Sequence, residues 1–144
     1  MKRREHKIKD VRPAGPNHQV VQLTGQGGDY QRKPCGECPW RLDSPVGAFP
    51  AEAYRISAKT AYDASLEMFS CHVSGTRKVK TCAGFLLANS QNNVGVRLMQ
   101  MRDALDMDAV SSDVALYRSY RDMAIANGVD PDDPVLQDCR SDHD

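Results

Sequence analysis

The chain has 144 residues, 40% apolar and only 6% aromatic, with 19 basic side chains balanced by 19 acidic ones. That length holds one domain with a modest core and excludes a large multi-domain enzyme; so few aromatics leave a core that gains from a crosslink or a metal. The zero net charge hides an asymmetry, since residues 1–33 carry eight Lys or Arg against three acids and residues 101–144 carry four Arg against eleven Asp. Such a layout can pair its own ends or present a basic arm to an anionic partner.

The opening "MKRREHKIKDVRPAGPNH" is basic and broken by Pro13, Gly15 and Pro16, and reads as a flexible arm over 1–17. No apolar segment follows it and no run approaches a membrane span, so a cytoplasmic protein with no membrane partner is expected. "HQVVQLTG" has the β-branched content of a short strand, and "GQGGDY" breaks it; those glycines lack the Lys-Ser or Lys-Thr of a phosphate loop. "FPAEAYRISAKTAYDAS" places Tyr54, Ala58, Ala61 and Tyr62 at helical spacing, with Pro50 in the first turn. A short strand over "EMFSCHV", a turn at "SGTRK", a strand "KVK" and a helix "CAGFLLANS" capped by Thr81 complete a cysteine-rich domain over 18–90.

The last third predicts two amphipathic helices. Val94, Leu98, Met101 and Leu105 form one apolar stripe and Val114, Tyr117, Tyr120 and Ala124 another, with Ser111 or Ser112 capping the second helix and Gly128 ending it. A short link makes 91–128 an antiparallel helical hairpin, and 129–144 reads as an acidic tail, flexible or partly docked, holding Cys139 as an exposed free thiol. The fold class is therefore α+β: a small metal-stabilised, cysteine-rich domain of short strands and helices with a C-terminal helical hairpin.

The cysteines carry the chemistry. Cys35 and Cys38 form a C-x2-C turn, Cys71 is followed by His72, and Cys82 lies ten residues further on. In a reducing compartment such a pair is more often metal-binding or catalytic than a disulfide, and five cysteines is an odd number for a closed framework. No βαβ pattern surrounds the pair, which argues against a thioredoxin-like dithiol. A tetrahedral zinc site needs four ligands, and a C-x2-C turn supplies two. In an extended "FSCHV" Cys71 and His72 point to opposite faces, so one of them ligates; at a helix start Cys82 is favoured as thiolate. The preferred site is Cys35, Cys38, Cys71 and Cys82, with His72 as the alternative ligand in place of Cys71. Four thiolates serve an iron–sulfur cluster equally well. Trp40 reads as a core aromatic over the site and Arg41 as a donor to a thiolate or an acid; the sharper alternative is that the two stack on a base and hold a phosphate.

"PCGECPWRLDSPVGAF", "FSCH" and "CAGFL" together resemble a domain-of-unknown-function family of small phage and bacterial proteins, family 6283, over about residues 33–88. The resemblance implies that Cys35, Cys38, Cys71, His72 and Cys82 belong to one site. It also implies a phage or prophage origin, hence a host-cell cytoplasm, and by analogy a host protein or nucleic acid as partner. Four thiolate ligands leave no open position for catalysis; a three-ligand site with Glu37 or Glu67 as base is the enzyme reading, and it ranks low. The function expected first is thus a zinc-binding accessory protein acting on a host protein. A nucleic-acid-binding zinc knuckle using the basic arm, Trp40 and Arg41 comes next, and an iron–sulfur or thiol redox protein after it. Nothing in the sequence sets an oligomeric state.

Overall fold

The computed structural model describes residues 7–15, 18–24, 29–71 and 79–139. The turn expected at "SGTRK", the glycine link 25–28 and His72 lie outside the described residues.

Strand β1 (Lys7–Gly15) pairs antiparallel with β2 (His18–Thr24), so part of the segment expected as a flexible arm is an edge strand. Its register shifts between Ile8 and Asp10 and again between Pro13 and Gly15. Strand β3 (Asp29–Tyr30) leads into the C-x2-C turn. Helix α1 (Ala51–Ser57) follows with Pro50 as its N-cap and tightens into a 3-10 turn over Ala58–Ala61; it lies against β1 and β2. Strand β4 (Met68–Phe69) pairs antiparallel with β2, and β5 (Lys80–Thr81) runs parallel to β3. A bridge between Ser70 and Thr81 joins β4 to β5.

Helix α2 (Ala83–Asn89) has Cys82 as its N-cap residue, one position beyond the expected Thr81. Helix α3 (Val94–Met101) is capped by Asn93, whose side chain accepts from the Val96 amide. Helix α4 (Tyr120–Ala126) starts much later than expected and is capped by Ser119 through the Asp122 amide. Residues 102–119 between α3 and α4 include a 3-10 turn over Met107–Ala109 and a bridge from Leu116 to Arg41. The short link of a helical hairpin is therefore absent there, and α4 packs on α1.

The core gathers Trp40, Leu23, Met68, Phe85, Leu86, Val96, Met99 and Met123, all fully buried. The tail is docked as far as Cys139: Leu136 and Cys139 are buried, Tyr62 donates its hydroxyl to the Val135 carbonyl at 2.6 Å, and Arg55 pairs with Asp133 at 3.0 Å. Among the described residues no helix is long and apolar enough to cross a membrane.

Candidate metal centre

Three chain segments bring the cysteines together. Across the Ser70–Thr81 bridge, the Cys71 amide donates to the Lys80 carbonyl at 2.7 Å and the Cys82 amide to that of Phe69 at 3.0 Å. Side chains alternate along strands, so Phe69, Cys71 and Cys82 share the face opposite Ser70 and Thr81. β3 lies on the other side of β5, with the Gln31 amide bonded to the Thr81 carbonyl at 3.0 Å, and delivers the C-x2-C turn to that face. The turn closes through Cys38 N–H to the Cys35 carbonyl and Arg41 N–H to the Cys38 carbonyl, each 3.2 Å. It is further held by the Ser44 hydroxyl donating to the Cys38 carbonyl at 2.6 Å.

The four thiols form a connected string. Cys38 and Cys82 have their sulfurs 3.6 Å apart, and the side chains of Cys38 and Cys71 both act on the Cys35 thiol. None of them is in a disulfide, and Cys38, Cys71 and Cys82 are buried while Cys35 is half-buried. A disulfide would need about 2.05 Å between sulfurs. Four sulfurs each about 2.3 Å from one zinc lie about 3.8 Å apart by tetrahedral geometry, close to the separation seen here. The donor set thus fits zinc in number, kind and spacing along this edge. Among the described residues, however, no three or more His, Cys, Asp or Glu form a group that could hold a metal ion as they stand. A cation would have to draw the string into a ring about itself.

Local fields pull the sulfurs in opposite directions. The Cys35 thiol is raised above its ordinary value chiefly by its neighbour Cys38, with burial adding, while Cys71 and the Glu37 N–H act to lower it. For Cys38 the contact with Cys35 lowers the value, but the Cys82 thiol and burial prevail and push it well up; the Trp40 N–H works against them. Backbone N–H donors two residues beyond each sulfur favour thiolate, and buried neighbouring thiols oppose it. A divalent cation would reverse the balance by its own charge.

Trp40 is fully buried, in edge-on contact with Phe69 and Tyr120 at centroid distances of 6.2 and 5.8 Å. It presents no face for stacking on a base. Its indole N–H has no hydrogen-bond partner among the described residues. Arg41 binds Asp43 in a two-pronged pair, both contacts 2.7 Å, and donates to the Cys35 carbonyl at 3.4 Å, bracing the turn. Two residues escaped the sequence reading: Gln31, whose amide donates to the Cys71 sulfur at 3.3 Å, and Gly84, where a Cβ would stand 2.6 Å from the Trp40 Cβ. The CAG spelling carried a signal for the second, a glycine inside a helix; nothing marked the first. Cys139 lies apart and is buried rather than exposed, donating to the Ala58 carbonyl at 3.6 Å. Glu67 pairs with Lys59 at 3.5 Å beside a groove of about 410 Å³ that none of the four cysteines lines.

The fold and this cluster define a small α+β domain organised around four converging cysteine thiols. A family model described as a family of unknown function, DUF6283, matches residues 30–140, and the chain belongs to that family. The match runs beyond the motif-bearing residues 33–88 and takes in α3, α4 and the docked tail. No curated protein and no solved structure matches the chain.

Proposed function

We propose that this is a zinc-binding accessory protein of phage or prophage type whose metal is structural and which acts by binding a host protein. The observation that carries the metal reading is the string of four thiols from three separate segments, closed to 3.6 Å between Cys38 and Cys82. Cys35, Cys38, Cys71 and Cys82 would hold the ion, which would supply a crosslink among β3, β4, β5 and α2. Burial of three of the four cysteines supports a structural role over a catalytic one, since an open coordination position would have to face solvent.

Metal analysis of protein purified without added zinc tests this: about one zinc per chain is expected for a single four-ligand site. Iron with labile sulfide would replace zinc by a cluster, and cooperative melting unchanged by chelation would remove the structural role. Affinity capture from host cells tests the binding role, with a stoichiometric protein partner as the expected outcome.

A further inference from the structure

The four thiols are not equivalent, and the difference has a chemical meaning. Cys38, Cys71 and Cys82 have relative exposures of 0, 2 and 3%, whereas Cys35 is half-buried on a turn whose next two residues, Gly36 and Glu37, are exposed. Among the described residues, a Cβ on Gly36 would meet nothing within 4 Å. Cys35 has Cys38 and Cys71 as neighbouring thiols, so a partner for a disulfide stands beside the one of these four thiols that solvent reaches. Exposure and thiolate character decide which cysteine an oxidant reaches, and a neighbouring thiol decides whether the product becomes a disulfide.

We infer that Cys35 is the peroxide-sensitive ligand of this site, and that its oxidation discharges the metal. The inference rests on the zinc reading above. The Cys35 thiolate attacks one oxygen of a hydroperoxide, forming an S–O bond as the O–O bond breaks; sulfur is oxidised to the sulfenic acid and the other oxygen leaves as hydroxide or alkoxide. The thiolate of Cys38 or Cys71 then attacks that sulfur, forming the disulfide as the S–O bond breaks and hydroxide leaves, to be neutralised by the buffer acid. Two electrons pass in all from the cysteine pair to the peroxide. The zinc is left with two thiolates, too few to hold it against solvent.

The test uses the full chain reconstituted with zinc and treated with hydrogen peroxide. Zinc release is followed with a chromogenic chelator, and the order of cysteine oxidation is mapped by mass spectrometry. Expected is loss of the Cys35 thiol first, zinc release in step with it, and a disulfide from Cys35 to Cys38 or Cys71. The variant Cys35→His keeps a four-ligand site while removing the accessible thiolate, and should release zinc severalfold more slowly. Zinc retained after Cys35 is oxidised, first oxidation at Cys38, Cys71, Cys82 or Cys139, or equal release from Cys35→His would each overturn the inference while leaving the zinc site standing. A chain that takes up no zinc before peroxide is added would overturn both.

Discussion

Gly84 is glycine because Trp40 occupies the space a side chain would need. A Cβ there would sit 2.6 Å from the Trp40 Cβ and 2.8 Å from its Cγ, and neither atom lies at the end of a flexible chain. Gly84→Ala should therefore cost about 1–3 kcal/mol of stability, the range for overpacking a core, read by urea titration with metal stoichiometry unchanged. Asn93 is the other residue whose identity the fold requires. Fully buried, it donates to the Thr60 and Glu67 carbonyls at 3.0 and 2.8 Å and accepts from the Val96 amide at 3.0 Å. Asn93→Ala removes all three hydrogen bonds, at about 1–3 kcal/mol for each buried group left unsatisfied. A denaturation midpoint equal to wild type would count against that role.

Among the elements, the segment after α3 shows where sequence patterning stopped being informative. Val114, Tyr117, Tyr120 and Ala124 keep helical spacing, yet only the last two lie in α4. Residues 115–117 find backbone partners instead: Leu42 N–H donates to the Ala115 carbonyl at 3.0 Å and Tyr117 N–H to that of Trp40 at 2.9 Å. Periodicity cannot register a partner more than 70 residues upstream in the chain. The stripe on α3 was misread for a related reason: Met101 is 77% exposed while Val96 and Met99 are fully buried. Gly95 lies close against the Leu66 carbonyl and Met68, which turns that side of the helix inward. By contrast, β2, β4, β5 and the helix after Cys82 were legible, because β-branched runs, turn residues and cap positions act locally. The four cysteines proposed as ligands were singled out by residue type and count, and the structure sets Cys38 and Cys82 with their sulfurs 3.6 Å apart and Cys35 beside Cys38 and Cys71. The tether from the C-x2-C turn to 115–117 gives an element-level prediction. Chelation should speed hydrogen exchange at the Leu42 and Tyr117 amides more than at amides of the β1–β2 ladder; uniform acceleration would argue against a local tie.

For the molecule as a whole, the charge asymmetry is partly spent internally, with Lys33 and Asp113 2.7 Å apart and Arg55 and Asp133 3.0 Å apart. The first pair is exposed and contributes little to stability. Burial matters more for pH dependence. Cys139 is pushed up by burial from an ordinary 9.0 to about 12, against the pull of Arg121. The folded chain thus keeps a proton that the unfolded chain gives up, so stability is full below about pH 9 and lost as pH climbs toward 12. Buried Tyr120, raised by desolvation, acts in the same direction. Urea titrations across that range should show a falling midpoint, and a shallower fall in Cys139→Val; identical slopes would show that Cys139 does not contribute. The docked tail has one more consequence, for the order of synthesis. All four candidate ligands have been made by residue 82, whereas the Leu42–Ala115 and Tyr117–Trp40 ties and the burial of Leu136 wait for the last third of the chain. A nascent chain can therefore gather its thiols before the ribosome has delivered the residues that brace the turn from the other side.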